Sequence, residues 1–223
     1  MTATFFAPLR LAMIAMFALL ATLPAAAQTP AASPAPAADP RLNLENVLFL
    51  DLSTGGRVSI LLYPETAPAH VERMKTLARQ GFYDGIIFHR VIDGFMAQTG
   101  DPKGDGTGGS DLPDLKAEFS SLPHLRGTLS AAREGSSVDS ANSQFFITFM
   151  PRFDLDRKYT VFGRVFGGMN FVDAIARGVP APNPDRIVQA SIAADGKAAP
   201  DFASANVGTN RPADPQPLPI TAE

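Results

Sequence analysis

Residues 88–98 read Phe-His-Arg-Val-Ile-Asp-Gly-Phe-Met-Ala-Gln. In an extended chain, side chains alternate between two faces. Phe88 and Arg90 therefore share one face of a strand, and Met96 and Gln98 share a face of the next. The run at 143–147, Ser-Gln-Phe-Phe-Ile, places Gln144 and Phe146 together in the same way. A cationic fork and two amides set among apolar side chains describe a small apolar pocket with a few fixed donors. Such a group can stabilise charge but cannot attack a bond. The chain contains no cysteine, which excludes thiol nucleophiles, disulfides, thiolate zinc sites and iron–sulfur clusters. His70, His89 and His124 share no metal-ligand spacing, so no metal or other cofactor is called for. His89 alternates to the face opposite Arg90 and is expected to be packed and hydrogen-bonded.

Other patterns carry less. Residues 104–109, Gly-Asp-Gly-Thr-Gly-Gly, match GxGxxG formally. Leu112 and Pro113 follow where a dinucleotide fold would open a helix, and no Lys-Ser/Thr completes a phosphate loop. A nucleotide-dependent function is therefore the weakest reading. The net charge of −3 and pI near 5.6 offer no basic surface for nucleic acid.

The elements that must hold these residues are mostly strands. Residues 46–52 and 57–63 flank Ser53-Thr54-Gly55-Gly56, a hairpin signal. Further strands are predicted at 85–92, 95–99, 127–132, 143–149, 160–166 and 186–193. Phe145, Ile147, Val161 and Phe162 belong to the core. A helix is predicted over 67–79, with Thr66 as N-cap, Pro68 in its first turn and Gly81 just past its end. Val71, Met74, Leu77 and Ala78 form its apolar face, while Glu72, Arg73, Lys75 and Arg79 form a solvated one. A second helix is predicted over 169–177. Eight short strands and two helices indicate an all-β barrel with helical covers, since a doubly wound sheet would need more helices.

The ends differ in composition. Residues 1–27 have the form of an export signal: Arg10, an apolar stretch at 11–23, then Ala25-Ala26-Ala27 as a small-residue cleavage site. The stretch is shorter than the roughly 20 residues of a membrane span, so no stable membrane insertion is expected after signal removal. Residues 28–40 form a Pro/Ala-rich linker and residues 200–223 a Pro-rich disordered tail, leaving 41–199 as the folded domain. The chain has 20 prolines, yet within 41–179 only Pro64, Pro68, Pro102, Pro113, Pro123 and Pro151 occur. Proline richness therefore belongs to the ends. The signal implies the periplasm, with secretion as the alternative.

FHRVIDGFMAQTGD, the loop GDGTGG, and the runs SQFFITF and YTVFGRV together resemble the cyclophilin-type peptidyl-prolyl cis-trans isomerases, in order and spacing, over about residues 44–195. The resemblance implies a closed eight-stranded antiparallel β-barrel capped by two α-helices. It implies isomerase activity on X–Pro bonds, without a cofactor, with proline-containing polypeptides as partners and a monomeric chain. It assigns the catalytic arginine to Arg90, the proline pocket to Phe95, Met96, Phe146 and Leu155, and the amide contacting the substrate backbone to Gln98. Ala132 and Arg133 fall at the pocket rim that pairs with the peptide, and Gln144 supports the arginine. Three departures stand out. Asp154 occupies a slot the family fills with an aromatic residue, with Phe153 one position earlier. Tyr159 replaces a family histidine and remains a hydrogen-bond donor. The segment 135–142 is longer than in the human-type proteins. A non-catalytic proline-peptide-binding or chaperone module of the same fold is the alternative reading.

Overall fold

A computed structural model describes residues 43–202. The segments 1–27 and 28–40, and most of the tail at 200–223, lie outside the described residues. All eight predicted strands have a counterpart, seven of them within two residues of their expected bounds and the one expected at 85–92 reduced to its last three residues. They are β1 (Val47–Leu52), β2 (Gly56–Leu62), β3 (Arg90–Ile92), β4 (Met96–Thr99), β5 (Thr128–Ala131), β6 (Phe145–Thr148), β7 (Val161–Gly167) and β8 (Ile187–Ile192). Two helices, α1 (Pro68–Arg79) and α2 (Met169–Asp173), accompany them.

The strands form one antiparallel sheet in the order β3-β4-β6-β5-β7-β2-β1-β8. It curls into a half-barrel and not the closed barrel expected. β3 and β8 stand at its two ends, and no ladder joins them among the described residues. The predicted strand at 85–92 is broken. Gly85 has φ +86°, a conformation glycine adopts without a Cβ clash, and only Arg90–Ile92 joins the sheet. The preceding residues make edgewise bonds to the approach to β8, Phe88 N–H donating to Asp185 O at 2.8 Å and Ile187 N–H to Ile86 O at 2.9 Å. This break also moves Phe88, which is fully buried in the main core instead of facing the pocket with Arg90.

The core is built from side chains of the sheet and of α1. Leu48, Leu50, Leu52, Val58, Ile60, Leu129, Ile147 and Ile192 are all buried in it. Val71, Met74, Leu77 and Ala78 of α1 pack there as their helical spacing predicts. The opposite face of α1 is not simply solvated. Lys75 is buried, its Nζ donating to Asn46 Oδ1 at 3.1 Å. Arg73 donates to Pro113 O at 2.6 Å and to Asn142 O at 3.4 Å, pinning two loops beside the pocket.

Thr66 does not cap α1. The N-cap is Ala67, which has no capping hydroxyl. The Glu118 carboxylate arrives from a distant loop and accepts from Ala69 N–H and His70 N–H, each at 3.1 Å. It also contacts His70 Nδ1 at 2.6 Å. An anion at a helix N-terminus satisfies unpaired donors and the helix dipole together. Burial pushes the His70 pKa down, against the opposing pull of Glu118. Glu118→Ala removes this cap and should cost about 2 kcal/mol of stability, measured by urea denaturation at neutral pH. The second helix also ends early, at Asp173 instead of 177. The Asp185 carboxylate takes the Ala176 N–H at 2.8 Å, drawing the chain out of the helix.

Candidate active site

Sheet register builds the site. Arg90 on β3 lies opposite Gln98 on β4, Gln98 opposite Phe146 on β6, and Phe146 opposite Ser130 on β5. Residues directly opposite in neighbouring strands project on the same face, so Arg90, Gln98 and Phe146 form a row across three strands. Met96 lies two residues along β4 from Gln98 and therefore on that face too. Met96, Ala132, Phe146 and Leu155 form an apolar cluster separate from the main core, with Ile92, Phe95 and Tyr159 packed against it.

A cavity of about 130 Å³ opens on this cluster, lined by Arg90, Phe95, Met96, Gln98, Ala132, Arg133, Phe146, Leu155 and Tyr159. The structure thus brings together the residues singled out from the sequence except two: Phe88, which is buried in the main core, and Gln144, which stands one hydrogen bond away. Arg90 Nη1 donates to Gln98 Oε1 at 3.3 Å. Gln98 Nε2 donates to Gln144 Oε1 at 2.9 Å. Gln144 Nε2 donates in turn to Gly106 O at 3.0 Å and Gly108 O at 2.8 Å. The glycine-rich segment is therefore a loop beside the pocket, anchored by the amide chain that holds the arginine. No carboxylate pairs with Arg90 among the described residues, so most of its donor fork is left for a ligand.

The rim residues are placed as follows. Ala132 N–H donates to Gln144 O at 3.0 Å. Arg133 Cζ stands 4.7 Å from the Tyr159 ring centroid, with the guanidinium donating to Lys158 O and Glu134 O. Tyr159 meets Phe146 edge-on, with centroids 5.8 Å apart, and its hydroxyl has no hydrogen-bond partner among the described residues. Tyr159 thus serves here as a wall. A larger, more polar cavity adjoins at Gln98, Ala132, Arg133 and Gln144, and is also lined by Asp114, Glu134 and Asn142.

His89 is buried but not hydrogen-bonded as expected, because neither ring nitrogen has a partner among the described residues. Burial pushes its pKa down, against the opposing pull of Asp101, and the neighbouring Arg90 charge acts in the same direction as burial. Three supporting residues have no signal in the alternation of the sequence. The His124 ring stacks on Phe146, with centroids 6.3 Å apart and planes 15° apart. Asp101 ties the glycine-rich loop through its backbone N–H groups. Arg152 lies over Phe95; its only trace in the sequence is an Arg-x-Asp spacing with Asp154.

An eight-stranded antiparallel half-barrel with an arginine-bearing apolar pocket on one sheet end defines the class. The model of the family described as "Cyclophilin type peptidyl-prolyl cis-trans isomerase/CLD" matches residues 49–193. A "Probable peptidyl-prolyl cis-trans isomerase" of Brucella suis is 48% identical over 169 residues, 69% of this chain and 85% of that protein. "Peptidyl-prolyl cis-trans isomerase B" of Bacillus subtilis is 43% identical over 129 residues, 57% of this chain and 88% of that one. A cyclophilin from Hirschia baltica superposes with a TM-score of 0.64 at 28% identity, over 69% of this chain and 76% of that one. A cyclophilin-type isomerase of Cryptosporidium parvum, solved in the presence of the dipeptide Ala-Pro, gives a TM-score of 0.62 at 26% identity, over 66% and 98% of the two chains. The chain belongs to the cyclophilin-type peptidyl-prolyl cis-trans isomerases and is an enzyme of that activity.

Proposed function

We propose that this isomerase works by electrostatic stabilisation of a twisted X–Pro amide by Arg90, with the proline ring held on Phe95, Met96, Phe146 and Leu155. The observation that carries the reading is the register row of Arg90, Gln98 and Phe146 beside the apolar cavity. Amide resonance sets a rotation barrier of roughly 18–20 kcal/mol, and uncatalysed X–Pro exchange takes on the order of tens to hundreds of seconds. No covalent bond is broken, so no nucleophile or general base is required. When the amide twists, its nitrogen lone pair leaves conjugation and becomes an acceptor. A guanidinium near that nitrogen stabilises the twisted form more than the planar one, and only that difference lowers the barrier. Arginine suits the task because it keeps its charge, with a pKa above ~12. With the proline ring seated, the apolar walls exclude water and strengthen the interaction. Gln98 is oriented by Gln144 and meets the substrate backbone, while Ala132 and Arg133 form the rim along which the peptide lies.

The substrates are proline-containing segments of exported, still-flexible polypeptides; the Cryptosporidium isomerase, solved in the presence of Ala-Pro, supports that class of ligand. Residues 1–27 support delivery to the periplasm, with the chain assisting folding there as a monomer. Acceleration of cis-to-trans exchange in an Ala-Pro peptide, followed by coupled proteolysis for wild type and Arg90→Ala, tests the catalytic reading. Export is tested separately. Expressed in a Gram-negative host, the chain should be recovered from the periplasm with Gln28 as its N-terminus by mass spectrometry. An unprocessed cytoplasmic product would count against export alone.

A further inference from the structure

Of the four side chains assigned to the proline ring, Phe95 is the most exposed and stands on neither a strand nor a 3₁₀ turn. Met96, Gln98 and Phe146 stand on strands, and Leu155 stands on the 3₁₀ turn Phe153–Leu155. Phe95 instead comes from the turn between β3 and β4, and its ring is only half-buried. Two guanidiniums meet that ring. Arg90 Cζ lies 5.7 Å from its centroid and Arg152 Cζ lies 3.9 Å away. Arg90 lines the cavity and Arg152 does not, so Arg152 covers the ring from outside the pocket.

Arg152 is itself held at two levels. Its N–H donates to His124 O at 2.7 Å. Its Nε and Nη2 donate to Asp154 Oδ1 and Oδ2 at 2.9 and 2.8 Å. A bidentate fork of this kind fixes the plane of the guanidinium as well as its position. The Arg152 guanidinium holds the Asp154 carboxyl below the usual carboxylate range, so the fork is fully charged at neutral pH. The outer support of the pocket is therefore an ion pair stacked on a phenylalanine.

We propose that Arg152, oriented by Asp154, is a positioning residue that fixes Phe95 as the outer wall of the proline pocket and thereby sets affinity for the substrate. The proposal rests on the pocket assignment made above. Arg152 touches neither the reacting amide nor the cavity, so its loss should weaken binding and leave the rotation step alone.

The test compares wild type, Arg152→Ala, Arg152→Lys, Asp154→Asn and Arg90→Ala on one Ala-Pro peptide, with kcat, KM and Tm measured for each. Stacked cations of this kind are worth a few-fold in an equilibrium, so Arg152→Ala should raise KM about three- to five-fold, with kcat within about two-fold of wild type and Tm nearly unchanged. Arg152→Lys keeps a cation over the ring and should recover part of the loss. Asp154→Asn frees the guanidinium and should raise KM by about two-fold, less than the arginine deletion. An unchanged KM in Arg152→Ala overturns the proposal, and so does a KM rise that follows a fall in Tm. An Asp154→Asn enzyme identical to wild type overturns the role of the fork. Arg90→Ala separates the two levels. If it keeps its kcat, the pocket assignment itself is wrong; if it loses kcat while Arg152→Ala is silent, only the positioning role fails.

Discussion

Arg90→Ala should lower kcat/KM on an Ala-Pro peptide by about 10²–10³-fold, the cost of removing one donor aimed at developing charge. Most of the loss should fall in kcat, because the arginine acts on the twisted amide more than on the planar one. The fold should survive. Arg90 is half-buried and pairs with no carboxylate among the described residues, so its removal strands no buried charge. Gln98 Oε1 loses a donor, but it faces a cavity that water can enter, and Gln98 keeps its bond to Gln144. Tm and the far-ultraviolet circular dichroism spectrum should therefore stay close to wild type. Arg90→Lys should lie between the two, since it keeps the charge and gives up the planar fork. Near-normal catalysis by a folded Arg90→Ala enzyme would mean that the apolar grip and the amides lower the barrier without the cation.

The row containing Arg90 is legible in the sequence because two-residue alternation is a local property. Arg90, Gln98, Gln144 and Phe146 could be assigned to faces before any contact was known, and the ladder then laid three of them side by side. Phe88 shows where that reasoning stops. Its alternation with Arg90 is intact on paper, but positive φ at Gly85 and edgewise bonding at 86–88 take it out of the strand. Closure of the sheet is not local either. Whether β3 meets β8 depends on the path of residues 85–89 and 178–187, and alternation says nothing about that path. The cap on α1 illustrates the same limit from another side. Thr66 has the right residue type in the right place, yet Glu118 from far along the chain supplies a charged acceptor instead. Arg152 and Asp101 lie in segments without periodicity, so only the three-dimensional structure shows what they hold.

Asp101 should give the largest stability effect of any residue near the pocket. It follows β4 and is buried. Its Oδ1 accepts from Lys103 N–H at 2.8 Å, and its Oδ2 accepts from Asp105 N–H at 3.1 Å and Gly106 N–H at 2.6 Å. The carboxylate packs so closely on Gly108 that a Cβ there would strike it, which explains a glycine at that position. Because Gly106 O and Gly108 O hold Gln144, the carboxylate stands at the root of the chain Gln144–Gln98–Arg90. Asp101→Ala leaves several backbone donors without their charged acceptor. It should cost about 3 kcal/mol and lower Tm by about 10 °C. Freeing Gln144 should also lower kcat/KM by about five- to ten-fold, the worth of roughly one hydrogen bond in the support of Arg90. Burial alone would push the Asp101 pKa up, but the backbone N–H groups outweigh it and hold the group below its ordinary value of 3.8. A carboxylate whose folded pKa is depressed stabilises the native state above the unfolded pKa and loses that contribution as pH falls through the folded one. The stability gap between wild type and Asp101→Ala should therefore be constant from neutral pH down to about pH 5 and shrink below pH 4. Urea denaturation across that range measures it. A gap that widened on acidification would show that Asp101 is protonated in the native protein, and the loop would then need a different anchor.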